Sequence, residues 1–345
     1  MTPGLDQEVA SCGALFADPA WQDAWSSATV ERIDAEQRLT APDRTGGEIA
    51  VPLYRTADSA LWRGYEDDAG CSDLLPSPVC YLSSLYAISN PVNRVDPARL
   101  AGLLDRAKEV AAGGQATVLV VPNLEDAVTL SELRHRHPPA AEVRLDATCR
   151  TSLPASVEEF VERLGKSARS DFRRRHRRAV ESGVSFVVYP ADVAAGRLPE
   201  FLALTEQAAR EHGNAPLYDL ATLTAMAAVP GAVLLTAQHD GELLAGSLSF
   251  VHGDCLVVWA AGIDYARLKD FHSYVFLLRE TLEFAIGHDC RWMDFGRGTF
   301  EFKRRHGFGL TTLYTLCYDL GVDRTGWIDD LAKMDEAIQP LLGGG

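Results

Sequence analysis

The chain has 345 residues, a length at which one ordinary compact core gives way to two domains. Hydrophobic residues at 47% and charged residues at 23% are those of a globular protein, which excludes a disordered or fibrous chain. The formal net charge of −15 excludes global attraction to nucleic acid or anionic membranes, so any polyanionic partner must be held by a local basic site.

The opening residues carry acids and no basic segment leading into an apolar core. No apolar run reaches the length of a membrane span, so neither a secretory signal nor an anchor is expected, and the expected location is cytoplasmic. Seven scattered cysteines without a Cys-x-x-Cys pair predict reduced thiols, with no metal site and no disulfide frame. Trp21, Trp25, Val30 and Ile33 predict a helix, and residues 41–47 a turn. Residues 48–55 predict a strand that Pro52 places on a sheet edge. A helix over 96–112, ended by Gly113 and Gly114, a strand over 116–122, a helix over 124–135 and a strand over 142–145 complete a first α/β unit. Ser156-Val-Glu-Glu159 is a capping box for a short helix that Gly165 ends.

A strand over 184–189 opens the second series, followed by helices over 198–212 and 219–228 and a strand over 232–237. His239-Asp-Gly-Glu242 is a hairpin turn, because Asp-Gly suits the primed turns that match strand twist. Strands over 243–251 and 256–261, a helix over 274–286, a short strand near 292–295 and a strand over 311–318 follow. A helix over 327–342 closes the chain, with Gly343 to Gly345 frayed. The implied division is a helical extension (1–45), a first α/β half (46–155), basic connecting helices (156–183), a second half (184–320), and a final helix and tail (321–345).

Two stretches carry the chemistry. Residues 291–308 read as strand, open turn, short helix and turn: glycines 296 and 298 bracket Arg297, Lys303 follows on the helix, and Gly307 and Gly309 close it. Glycines there let backbone approach a ligand, and a helix N-terminus presents N–H groups to an anion. The other stretch is Lys166 to Arg178, in which seven cations (Lys166, Arg169, Arg173, Arg174, Arg175, Arg177, Arg178) face one acid, Asp171. Arg169, Arg173 and Arg177 fall four apart on one helical face, where like charges disfavour the helix by ~0.2–0.5 kcal/mol per pair. Such a face either binds phosphate, which guanidinium forks match, or is a solvated surface paired with acidic neighbours.

The element order from residue 184, with three antiparallel strands before a central helix, resembles the GNAT acyltransferase fold. The basic run followed by Gly183, together with Asp294-Phe-Gly-Arg-Gly-Thr-Phe-Glu-Phe-Lys303 followed by Gly307, resembles the FemAB-type branch, which includes BioF2-like enzymes and Fem aminoacyltransferases. The resemblance implies an α/β (α+β) fold of tandem GNAT-like domains, with mixed, mostly antiparallel sheets flanked by helices and a degenerate first half. It implies an N-acyltransferase that joins an aminoacyl or acyl group to an amine or hydroxylamine of a small biosynthetic intermediate. GNAT enzymes hold the CoA pyrophosphate on an Arg/Gln-x-x-Gly-x-Gly/Ala loop. The matching segment here has Gly262 but no Gly-x-Gly, so aminoacyl-tRNA is the expected donor and acyl-CoA or a carrier thioester the alternative. A polyanion- or precursor-binding protein without catalysis is the reading from another class.

Amide formation needs an unprotonated amine, an activated carbonyl, oxyanion stabilisation and a proton for the leaving group. On the GNAT resemblance, Trp259 and Ala260 flank the backbone donor near the carbonyl. Tyr274 is placed as leaving-group acid or as a core-edge tyrosine, and His272 as base or as a loop histidine. Asp294 either holds the amine or caps a strand. Arg297 and Lys303 are expected to bind a phosphate or carboxylate, and Lys166, Arg169, Arg173, Arg174 and Arg177 the tRNA phosphates. No cofactor beyond the acyl donor, no metal, no DNA and no membrane partner are expected.

Overall fold

A computed structural model describes residues 12–213 and 215–342; the expectations for the first eleven residues and for Gly343 to Gly345 lie outside the described residues. The chain forms two compact units. One runs to Thr148 and resumes at Thr311; the other is Cys149–Leu310. The expected boundaries at 155, 183 and 320 do not coincide with this division, since the basic helices belong to the second unit and the last strand returns to the first.

In the first unit, β1 (Glu31–Pro42), β2 (Glu48–Ser59) and β3 (Val79–Leu82) are antiparallel neighbours. Next, β3 runs parallel to β4 (Val118–Leu124), which pairs antiparallel with β11 (Gly309–Asp319). Every residue of β4 is buried, as a strand covered on both faces requires. One apolar cluster packs Val121 and Leu119 with Leu103 and Leu104 of the helix Leu100–Gly113. Another packs Val118 and Val120 with Trp327 and Leu331 of the helix Trp327–Ile338.

Two local expectations are corrected here. The predicted amino-terminal helix keeps Trp21 and Trp25, on Pro19–Ser26, but Ile33 lies in β1. Pro52 is not on an edge, because β2 sits between β1 and β3. Its carbonyl accepts from Ser83 N–H at 2.7 Å, just past the end of β3. A residue's N–H and C=O point to the same side of a strand, so the donor that proline lacks faces a place where the ladder has already ended.

Glu31, the first residue of β1, is 3% exposed. It accepts from Ser59 Oγ at 3.0 Å and Ser84 Oγ at 3.4 Å. Burial pushes its carboxyl up to about 7, against the lowering effect of those bonds. A folded-state value above the unfolded one means that the native state holds the proton more tightly. The associated stability is therefore present below about pH 4.5 and is lost as pH rises through about 7. Glu31→Gln is expected to raise stability at pH 8 by roughly 2–3 kcal/mol and to flatten the slope between pH 5 and 8, as read by urea unfolding at several pH values. An unchanged slope would place Glu31 in contact with water.

In the second unit, the end of β5 (Ala141–Ser152) pairs antiparallel with β10 (Trp292–Asp294), and β10 runs parallel to β9 (Cys255–Ile263). Antiparallel pairs continue through β8 (Glu242–His252), β7 (Ala232–His239) and β6 (Ser185–Pro190). The β7–β8 turn is the expected one, with Asp240 and Gly241 at φ +50° and +81°. The helix Ser273–Gly287 buries Val275, Leu278 and Leu282 in one core with Leu235, Ala245 and Leu256. The helix Leu198–Glu211 lies on the opposite face: Gly246 follows Ala245, and its side-chain position meets Phe201 at 3.2 Å. Gly262, paired with Gly246, would place a Cβ 2.7 Å from Leu204 Cβ and Thr205 N. That glycine therefore serves close helix packing.

Five cysteines (Cys71, Cys80, Cys149, Cys290 and Cys317) are free thiols. Cys12 and Cys255 are not among the free thiols, which corrects the expectation of seven reduced cysteines. Among the described residues no cluster of metal-ligating side chains occurs, and no helix is long and apolar enough to cross a membrane.

Candidate active site

Strands β9 and β10 run side by side only as far as Val257 and Asp294. Beyond that pair, β9 continues to Ile263, while the other arm turns away through Gly296 (φ +68°), Gly298 (+70°) and Thr299 (+45°). A register shift on the β8 side pairs Leu248 with Ala260 and Ser249 with Val258, which makes Trp259 the extra residue of a β-bulge. Ala261 is exposed within a strand that is otherwise buried. The result is a wedge with Trp259, Ala260 and Ala261 on one arm and residues 295–299 on the other. In the first unit, β3 and β4 are also parallel, paired through Tyr81 and Val120, but the space beyond is stitched closed. Asn90 Nδ2 donates to the Leu82 and Pro122 carbonyls at 2.8 and 2.7 Å, and Asn123 Nδ2 donates to those of Ser84, Leu85 and Ala87.

Two expected ligand-binding residues are instead part of its frame. Asp294 is fully buried and receives Arg150 Nε at 2.6 Å, with the Arg150 side chain only 1% exposed. Gly296 N–H donates to its other oxygen at 2.9 Å. Lys303, 3% exposed, donates to the Gly296 and Arg297 carbonyls at 3.1 and 2.7 Å. Its charge is spent on the turn, which it holds in the left-handed conformation that the two glycines permit.

Tyr274 stands at the start of the helix Ser273–Gly287, stacked on Phe302 with centroids 4.5 Å apart and with its hydroxyl 3.2 Å from Thr299 Oγ1. Burial raises its pKa well above the ordinary tyrosine value. At neutral pH the hydroxyl therefore stays protonated and can offer a hydrogen bond. His272, with φ +48°, precedes this helix. Its pKa lies below the usual histidine value because of partial burial, reinforced by Arg175, Arg178 and Arg174. A neutral imidazole at this place can accept a proton.

Trp259 faces Tyr218, with ring centroids 5.0 Å apart and the Tyr218 hydroxyl 3.5 Å from the Trp259 carbonyl. Burial pushes the Tyr218 hydroxyl up to about 12, opposed by the Arg297 charge. Tyr218 was missed by sequence reasoning. It lies between two helices, and no local pattern connects it with Trp259.

The basic run is helical over Lys166–Glu181, and its cations divide into two groups. Arg169 and Arg173 pair with Glu162, and Arg177 lies 3.8 Å from Glu181. These are exposed surface pairs of small energetic weight. Arg174 and Arg175 converge on Asp171, joined at 3.5 Å by Arg305 from the helix Phe300–Arg305. The charges of Arg175, Arg178 and Arg174 also help to lower the pKa of His272. Arg175 stands four residues after Asp171, a spacing that marks the pair in the sequence; Arg305 carries no such signal.

Residues 166–304 match the acetyltransferase (GNAT) domain family. A search of curated proteins finds no match. Among solved structures, FemX aligns with a TM-score of 0.60 at 13% identity, covering 91% of this chain and 96% of its own. The C-terminal domain of a putative lysylphosphatidylglycerol synthetase from Agrobacterium fabrum aligns at 0.56 and 11% identity, covering 96% and 95%. L-PGS from Bacillus licheniformis aligns at 0.55 and 9% identity, covering 95% and 98%. At these identities the neighbours speak for the fold, and the domain match speaks for the second unit. Residues 166–304 thus match the acetyltransferase (GNAT) domain family, and the chain as a whole has a fold similar to that of FemX.

Proposed function

We propose that this chain forms an amide by moving an aminoacyl group from aminoacyl-tRNA to the amine or hydroxylamine of a small biosynthetic intermediate, in the cytoplasm. The observation that carries the reading is the wedge between β9 and β10, with Tyr274 at its head and the Arg174–Arg175–Arg178–Arg305 group beside His272. The amine nitrogen attacks the ester carbonyl carbon; the C–N bond forms as the C–O bond to ribose breaks. His272 takes the proton that the nitrogen sheds, and the Tyr274 hydroxyl supplies one to the departing ribose oxygen. Backbone along the Trp259–Ala261 arm supports the developing oxyanion. The guanidinium group holds phosphates near the acceptor end of the tRNA.

The acetyltransferase family match supports a second reading, in which the donor is acyl-CoA or a carrier thioester. A non-catalytic binding role is the remaining reading, and the absence of turnover with every donor would favour it.

A donor screen separates the two. Purified protein is given charged tRNAs or acyl-CoAs with a generic amine, and products are read by mass spectrometry. The expected result is turnover with charged tRNA that ribonuclease abolishes and that Arg174→Gln with Arg178→Gln lowers about 10- to 100-fold through KM. Turnover with acyl-CoA alone, or unchanged tRNA-dependent KM in that variant, would overturn the assignment of the donor.

A further inference from the structure

Three guanidiniums meet at one carboxylate, that of Asp171. Helical spacing brings Arg174 and Arg175, three and four residues further along the helix Lys166–Glu181, to its two oxygens. Arg174 bonds to Oδ1, and Arg175 Nε lies 2.9 Å from Oδ2. Arg305, the last residue of the helix Phe300–Arg305, reaches Oδ2 at 3.5 Å. The Asp171 side chain is only 10% exposed, whereas the three arginine side chains are 40–52% exposed. A carboxylate offers about four lone-pair positions to roughly fifteen N–H donors, so most of the donors are left for a ligand. The helix that supplies Arg305 also frames the turn of the wedge. Its Phe302 stacks on Tyr274 with centroids 4.5 Å apart, and its Lys303 holds the Gly296 and Arg297 carbonyls. Asp171 therefore ties the basic helix to that turn.

An acid at this place acts on an anionic ligand in two opposed ways. Its charge repels the ligand. It also lets three like charges sit together and restrains three long side chains before the ligand arrives, which lowers the ordering cost of binding. We infer that the second effect governs: Asp171 is a positioning residue that gathers Arg174, Arg175 and Arg305 into one preformed site for phosphates of the acyl donor. Guanidinium forks presented from two helices suit oxygens that point in several directions. The inference rests on the proposed reading of this group as the donor's phosphate site, but not on which donor is used.

The test is steady-state kinetics of Asp171→Asn and Asp171→Glu with the working donor, beside anisotropy binding of a short RNA duplex of unrelated sequence. Asp171→Asn keeps every arginine and adds net positive charge, so a site governed by charge alone predicts a lower donor KM. The expected result is the opposite: donor KM rises about ten-fold and kcat stays within about two-fold, while the duplex is held no less tightly than before. Asp171→Glu, which keeps the carboxylate, should recover part of the KM, with thermal melting showing that both variants fold. An unchanged or lowered KM in Asp171→Asn would overturn the inference, as would no recovery in Asp171→Glu. So would a rise in KM matched by equal losses of kcat and of duplex binding, which marks a merely structural role. If acyl-CoA is the working donor and shows the KM shift, only the tRNA assignment fails. If neither donor turns over, Kd for deacylated tRNA and for CoA replaces KM. A weakening of about ten-fold for either in Asp171→Asn then upholds the inference, and binding of neither by the parent protein overturns it.

Discussion

Asp294→Ala is expected to lose about 3–5 kcal/mol of stability, the largest effect of a single substitution in the second unit. Arg150 and Asp294 are 144 positions apart in sequence, and neither side chain reaches water. Removing the carboxylate leaves a guanidinium that cannot deprotonate in a low-dielectric place, and it also frees the Gly296 N–H. Replacing both charges by apolar residues, Arg150→Met with Asp294→Leu, should recover much of the loss, since the pair itself adds little beyond mutual compensation. Chemical denaturation of the single and double variants decides the matter. A loss under about 1 kcal/mol for Asp294→Ala would mean that water reaches Arg150. The same measurement settles which role Asp294 plays, because a residue that only gripped the substrate amine would change KM and leave the unfolding midpoint in place.

Tyr274→Phe is expected to lower kcat about 10²- to 10³-fold with little change in KM, by removing the proton offered to the leaving oxygen. The stack on Phe302 keeps its partner ring in this variant, so the fold should survive. A core-edge tyrosine would give a loss of stability instead. A further readout separates the two roles: with a donor whose leaving group is a strong acid, the defect should nearly vanish, because such a group departs without a proton. If Tyr274→Phe were equally slow with both donors, the acid role would be lost. Thr299→Val, which removes the hydroxyl 3.2 Å from the Tyr274 oxygen, should give a milder version of the same pattern.

Tyr274 reaches Thr299 of the turn, and Trp259 and Ala260 lie on β9 beyond its last pair with β10. Lys303 and Asp294 are buried and bonded to the backbone of the turn. A lysine five residues past Gly298 reads as an available cation until its carbonyl partners are seen in three dimensions. Of the basic helix, Arg174 pairs with Asp171, whereas Arg169, Arg173 and Arg177 are engaged by Glu162 and Glu181. The acidic surface that the composition implies supplied those partners. The capping box was legible: Ser156 Oγ accepts from Glu159 N–H at 3.1 Å, although Glu159 reaches Ala155 N–H in place of that of Ser156.

Local chemistry written in the chain was sufficient for the elements of the second unit. Glycines at positive φ, the Asp-Gly hairpin, the capping serine and the apolar spacing of the helix Ser273–Gly287 each act within a few residues, where sequence distance and spatial distance agree. From these, the stretch around residues 291–308 was already a strand, turn and helix. What only the tertiary structure decided is how its charges are used. Arg150 meets Asp294 and Arg305 meets Asp171 across long loops. Asn90 and Asn123 bridge the strand ends beyond the β3–β4 pair. Tyr218 reaches Trp259, and β11 returns to the first unit. A charge or an amide has no preferred partner along the chain. Its role is set by which groups burial brings within hydrogen-bonding distance, and that is a property of the packed molecule.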